Sequence, residues 1–212
     1  MTPLLPSRVD LYAVISTREG TGEDPTHILE RVIAAGVQAV QMREKHLSRR
    51  ERFRLAEIFR RKTSDAGRLL IINDDIDIAL SVGADGVHLG REDLPVGAAR
   101  TIGPGLIIGR STRSAEEALA AEAAGAGYVN VGPIFSTPTK PGISPVGLKT
   151  FREVRDKVSI PVTVMGGINR GNLHRVLEAG VRTVAMVRGI TEGDIENNVS
   201  ELCRAYNSYV RV

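Results

Sequence analysis

Two carboxylates follow short apolar runs in this chain. Asp74 stands after Leu69–Ile72 in the phrase Asn73-Asp74-Asp75, and Asp93 closes His88-Leu89-Gly90-Arg91-Glu92-Asp93. With no His/Cys cluster beside them, such oxygen donors suit a hard cation. Mg²⁺ takes one or two carboxylates and completes its shell with water and substrate phosphate. Asp75, directly before Ile76-Asp77-Ile78-Ala79, reads better as a helix cap. Arg43 and Lys45 flank Glu44 and can share one side of an extended segment. Two cations there suit a multiply charged anion, or form a surface charge cluster. His88 alone reads as a structural histidine, and Ser111 as either a cap or a ligand contact.

Three further segments could meet anions. Gly132 to Gly142 is longer than an ordinary β-to-α connection of roughly 2–6 residues. It offers the hydroxyls of Thr137 and Thr139 beside Pro138, and Lys140 as a point charge. It is either a lid or a rigid exposed turn. Gly166-Gly167-Ile168-Asn169 and Val187-Arg188-Gly189-Ile190 each follow a short apolar run. Glycines there let backbone amides approach a phosphate.

These residues must be positioned by something, and a repeat supplies it. A helical pattern ending near glycine, then a short apolar strand, recurs at Gly36, Gly83, Gly125 and Gly180. A helix end needs a left-handed residue, which glycine adopts cheaply. The interval of 42 to 55 residues is enough for two β/α units. Strands are predicted at 11–15, 39–42, 69–72, 86–89, 106–108, 128–131, 161–165 and 183–187. Helices are predicted at 25–36, 48–66, 75–82, 95–102, 114–124, 147–156, 170–179 and 193–208. Strict alternation implies a parallel sheet. The first strand lacks a G-x-G-x-x-G turn, so the expected fold is α/β, a (β/α)₈ TIM barrel in one domain over 1–212. Active sites of such barrels lie at the carboxyl ends of the strands, where every residue named above falls.

Composition narrows the partners. The chain has 212 residues, net charge +3 and 4% aromatics, so a stacking platform for nucleic acid is not expected. Cys203 is the single cysteine, which excludes an internal disulfide. No apolar run approaches the roughly 20 residues that span a bilayer, and no secretory leader is evident. The cytoplasm is the expected compartment, with neither nucleic acid nor membrane as partner. A homo-oligomer is compatible with the sequence. The basic run from Arg49 to Lys62 reads as a solvated helix face.

The strand ends thus carry a monophosphate site, at strands seven and eight, and a cation-rich, metal-assisted site at strands two to six. That pairing suggests two phosphorylated small-molecule substrates, one a diphosphate. A departing diphosphate is stabilised by Mg²⁺ and cations, so the residues point to a Mg²⁺-dependent transferase releasing diphosphate.

The phrases QMREK (41–45), IIND (71–74), ADGVHLGRED (84–93), IIGRST (107–112), VGPIFSTPTKPG (131–142), MGGIN (165–169) and VRGI (187–190) resemble the thiamine-phosphate synthase family, in order and over nearly the whole chain. The resemblance implies a barrel that joins hydroxymethylpyrimidine diphosphate to a thiazole phosphate, by departure of diphosphate and capture of a pyrimidine-methyl cation. It assigns Gln41, Arg43, Lys45, Asn73, Ser111 and Lys140 to the pyrimidine diphosphate, with Arg43, Ser111 and Lys140 as catalytic candidates. It assigns Asp74 and Asp93 to Mg²⁺, and Thr137, Pro138, Thr139, Gly167, Val187 and Arg188 to the thiazole phosphate. The chain departs from the family where Thr-Asp-Arg often follows the first strand, reading Ser16-Thr17-Arg18. It also departs at Arg113, where His is frequent, and at Arg188, where Ser is commoner. A related thiazole tautomerase on the same barrel, and a non-catalytic phosphate-binding barrel, are the alternative readings.

Overall fold

The computed structural model describes residues 2–7, 9–16, 23–138 and 142–210, with only the backbone of Val210. Among them, eight parallel strands close a barrel in sequence order: β1 (Leu11–Ile15), β2 (Ala39–Met42), β3 (Leu69–Asn73), β4 (Gly86–Leu89), β5 (Ile107–Thr112), β6 (Tyr128–Val131), β7 (Val162–Val164) and β8 (Thr183–Met186). Helices alternate with them: α1 (Pro25–Ala34), α2 (Arg49–Asp65), α3 (Ile76–Ser81), α4 (Val96–Ile102), α5 (Ala115–Ala123), α6 (Gly147–Arg155), α7 (Leu173–Glu178), a one-turn α8 (Arg188–Thr191) and α9 (Ile195–Val210).

Local chemistry sets the helix ends. Asp24 caps α1 by accepting from the Thr26 amide, and Ser48 and Glu51 form a reciprocal capping box on α2. The repeat glycines do what their positions require. Gly36 has φ +97°, its N–H donates to the Ile33 carbonyl, and the Val37 N–H reaches back to the Val32 carbonyl. The same paired bonds recur at Gly83, Gly125 and Gly180. Each satisfies the last carbonyls of a helix and turns the chain into the next strand.

Side chains alternate about the barrel wall, so one set packs outward on the helices and the other fills the interior. Leu11, Ala13 and Ile15 belong to the large outer core, while Tyr12 and Val14 join Val9, Ala39, Ile71, Ile107 and Tyr128 inside. Leu5 closes the interior's lower end, its amide bonded to the Gly127 carbonyl.

Several boundaries differ from the sequence expectation. β5 continues to Thr112, because Ser111 and Thr112 pair with Asn130 and Val131 of β6. Ser111 is therefore a strand residue, and Ser114 is the residue that caps α5. α7 starts only at Leu173, since Asn169 and Asn172 hold the preceding residues in a side-chain-bonded turn. Asp75 occupies the first cap position of α3 without a capping bond; its carboxylate meets Arg52 at 3.0 Å instead. Nor is the basic run of α2 simply solvated. Arg49, Arg52, Arg60 and Lys62 pair with Asp77, Asp75, Asp85 and Glu30, tying α2 to its neighbours.

Candidate functional site at the carboxyl ends of the strands

The β3 end turns sharply. Asp74 has φ +63°, and its N–H donates to the His88 carbonyl at 2.9 Å. Aspartate tolerates this left-handed conformation better than most residues. The turn brings the Asp74 carboxyl within hydrogen-bonding reach of Asp93 and 2.8 Å from Lys45 Nζ. Burial, and then the proton shared with Asp93, push Asp74 up to about 6. Burial also works against ionisation of Asp93, yet hydrogen bonds from the Asp74 carboxyl and the Gly90 amide hold Asp93 below the usual carboxylate range. Two carboxylates this close repel each other when both are ionised, so one of them holds its proton to higher pH. The β4–α4 segment that presents Asp93 is pinned from outside, where Arg110 donates to the carbonyls of Arg91 and Leu94.

Opposite this acidic pair lies the glycine-rich side. Gly166 and Gly167 have φ +97° and +66°. A Cβ on Gly167 would stand 2.4 Å from the Ser136 carbonyl oxygen and 2.8 Å from Phe135 Cβ. These glycines are required by the loop packed over them as much as by any ligand. That loop is fastened to the end of β7, with the Ile134 and Phe135 amides donating to the Met165 and Gly166 carbonyls. Asn172 Nδ2 donates to the Gly167 carbonyl. Val187 caps α8, and Arg188 turns its guanidinium onto Glu192 through two hydrogen bonds of 2.7 and 3.0 Å. Arg113 reaches across to the Ser144 carbonyl at 2.8 Å, bracing the far end of the β6–α6 segment.

One cavity of about 1190 Å³ joins both sides, lined by Lys45, Asp93, Ser111, Thr137, Gly167 and Arg188 among others. It is large enough for two small ligands. A family described as thiamine monophosphate synthase matches residues 11–190. The chain belongs to this family. A thiamine-phosphate synthase of Caldanaerobacter subterraneus subsp. tengcongensis is 42% identical over 93% of this chain and 94% of its own length. Another from Moorella thermoacetica is 43% identical over 85% and 87%. The solved thiamine phosphate pyrophosphorylase of Pyrococcus furiosus superposes with a TM-score of 0.88 at 34% identity, covering 96% of this chain and 98% of that one.

The residues that family resemblance singles out fall into three groups here. Lys45, Asp93, Ser111, Thr137, Pro138, Gly167, Val187 and Arg188 line the cavity. Gln41, Arg43, Asn73 and Asp74 stand beside or beneath it. Gln41 is buried with its amide on Tyr12, Arg43 approaches Ser16 Oγ at 3.4 Å, and Asn73 ends β3 in register with His88. Thr139 and Lys140, like Thr17 and Arg18, lie outside the described residues. His88 is structural in the expected sense, with both ring nitrogens in hydrogen bonds. Tyr12, Tyr128 and Asn130 face the barrel interior near the site and escaped the sequence reading. Their signal lies in the strand sequences: Tyr12 is the one non-aliphatic residue of β1 (LYAVI), and Tyr128 and Asn130 alternate with the valines of β6 (YVNV).

Among the described residues, no helix is long and apolar enough to cross a membrane. No group of three or more His, Cys, Asp or Glu residues gathers there as a metal site. A cation here would therefore be held by the Asp74/Asp93 pair and by its substrate. That donor set, two hard oxygens that repel each other when ionised, fits Mg²⁺.

Proposed function

We propose that this enzyme condenses 4-amino-2-methyl-5-hydroxymethylpyrimidine diphosphate with hydroxyethylthiazole phosphate, giving thiamine phosphate and diphosphate. The observation that carries the reading is one cavity with two differently equipped anion walls. One wall has Lys45, Ser111 and the facing carboxylates. The other has glycine-rich turns at 166–167 and 187–189.

Asp74 and Asp93 would hold Mg²⁺, which supplies charge neutralisation to the departing diphosphate. Lys45, already against Asp74, stays between the carboxylates and the substrate oxygens and balances both. Ser111 donates to a phosphate oxygen from the end of β5. Arg43 and Lys140 add positive charge, and Gln41 and Asn73 orient the pyrimidine. On the opposite wall, amides near Gly167 and Val187, with Thr137, Pro138 and Thr139, take the thiazole phosphate. Arg188 is turned to Glu192, so its first role is to hold the α8 turn, with phosphate contact following from rotation of its side chain. The chemistry needs no strong base. Departure of diphosphate leaves a pyrimidine-methyl cation, and the thiazole nitrogen captures it, so the chain chiefly positions two ligands and stabilises departing charge. The cytoplasm is the compartment proposed for this reaction.

The test is diphosphate release by the purified protein with Mg²⁺. Release that requires both substrates together is the expected result. No release with the pair overturns the reading, and isomerisation of a thiazole phosphate alone would replace it with the tautomerase activity.

A further inference from the structure

A chain of hydrogen bonds crosses the barrel interior beneath the cavity. Gln41 Nε2 donates to Tyr12 Oη at 2.8 Å, and Tyr12 Oη lies 3.1 Å from Tyr128 Oη. Tyr128 Oη lies 2.9 Å from His88 Nδ1, and His88 Nε2 lies 2.9 Å from Ser111 Oγ. Five strands contribute one residue each. Gln41, Tyr12, Tyr128 and His88 are at most 6% exposed, while Ser111 alone opens into the cavity. The two phenol rings meet edge to face, 6.3 Å between centroids.

Hydroxyl and imidazole groups can be strung in either direction, but the ends decide. An amide NH₂ has no lone pair, so at Gln41 the Tyr12 oxygen accepts. Tyr12 then gives its proton to Tyr128, and Tyr128 gives its own to His88 Nδ1. That leaves the imidazole proton on Nε2, donated to Ser111 Oγ. The Ser111 proton is thereby free to point into the cavity. Phosphate oxygens only accept, so the opposite direction would aim serine lone pairs at an anion. Burial pushes the pKa of both phenols well above the usual tyrosine value, so each keeps its proton and stays a donor.

We propose that Tyr12, Tyr128 and His88 are positioning residues that hold the Ser111 hydroxyl outward as a donor to a phosphate oxygen of the diphosphate substrate, with His88 neutral and protonated on Nε2. This rests on the proposed function in one respect, that diphosphate binds beside Ser111. The dipoles of such a chain align and reinforce one another, which strengthens the terminal donor.

Two measurements on the full chain test it. The first is ¹⁵N NMR of histidine-labelled wild-type protein at neutral pH without ligand. It should show His88 with its proton on Nε2 and a bare, hydrogen-bonded Nδ1. A proton on Nδ1, or an imidazolium, overturns the proposal. The second is calorimetric titration with inorganic diphosphate in Mg²⁺. Ser111→Ala should weaken binding about ten-fold or more, the loss of a hydrogen bond to a charged group. Tyr128→Phe should weaken it severalfold, and Tyr12→Phe less, because Tyr128 still donates to His88 in that variant. In the Ser111→Ala background, Tyr128→Phe should add almost nothing. A full additional loss there means that Tyr128 acts only through packing, and it overturns the proposal. If Tyr128→Phe fails to fold, the wild-type tautomer and the Tyr12→Phe pair decide. Failure of the wild type to bind diphosphate overturns both this and the proposed function. Binding with the wrong tautomer, or with additive losses, overturns the positioning chain alone.

Discussion

Gly109 offers a sharp test of how the barrel interior is packed. It sits on β5 directly across from Tyr128 of β6. Its φ is not in the left-handed region, so the backbone itself would accept alanine. Taken alone, Gly109→Ala should then stabilise by about 0.4–1 kcal/mol, through a less flexible unfolded chain. The tertiary structure reverses that sign. A methyl at Gly109 would lie 2.1 Å from Tyr128 Cζ, 2.3 Å from its Oη and 2.4 Å from Cε1, against an optimum of about 3.5–4.0 Å. The ring cannot retreat easily, being fully buried and bonded to both Tyr12 and His88. Overpacking costs about 1–3 kcal/mol, and a broken buried hydrogen bond about 1–3 more. The net expectation is destabilisation of about 3 kcal/mol, or roughly 6–12 °C in Tm for a chain of this size. Chemical denaturation of Gly109→Ala, Tyr128→Leu and the double variant measures it. In the Tyr128→Leu background the added methyl should cost less than about 1 kcal/mol, giving a coupling of about 2 kcal/mol. Gly97→Ala on α4, where nothing lies within 4 Å of the added methyl, is the control and should be neutral or stabilising. A Gly109→Ala variant as stable as the wild type, or additive with Tyr128→Leu, would refute this account of the packing.

Asp93→Asn keeps an oxygen for the Gly90 amide, so the fold should survive while turnover at limiting Mg²⁺ falls roughly 100-fold; unchanged activity under those conditions rejects the ligand role. The Arg31–Glu196 pair joins α1 to α9 through three hydrogen bonds, and Arg31 holds Glu196 down at about 2, against 4.5 for an ordinary glutamate. Because the folded value is lower, its stabilisation is present above about pH 4.5 and fades as pH falls toward 2. Glu196→Gln should therefore lower the urea midpoint slightly at about pH 7 in low salt, and by less at about pH 3. A difference that grows on acidification contradicts the linkage.

Much of the site was legible because it follows strands. Asp74, Asp93, Lys45 and Gly167 all follow apolar runs, and a parallel barrel places all such residues at one end. Ser111 also follows an apolar run, but its place within β5, and not at a helix cap, is not legible, since no property of the sequence IIGRST says how far pairing with β6 continues. The Asp75 carboxylate went to Arg52 and not to its own helix. A cap bond is a local opportunity, whereas the Arg52 charge arrives from a separate helix. The ion pairs of the basic run on α2 are hidden from the sequence for the same reason: their partners are scattered from Glu30 to Asp85.

The sequence by itself determined the periodic order of the chain. Helix caps, glycine helix ends and β-branched runs act over a few residues, so their physics is written locally, and eight alternations leave a closed parallel sheet as the natural arrangement. Only the tertiary structure decided which side chains share the interior. Gly109 makes room for Tyr128, and Tyr128 joins Tyr12 and His88 beneath Ser111. Those contacts link residues up to 116 positions apart. They depend on strand register and on alternation about the wall, which a one-residue slip would invert. The facing of Asp74 and Asp93 was settled in the same way, by a single left-handed residue at the end of β3.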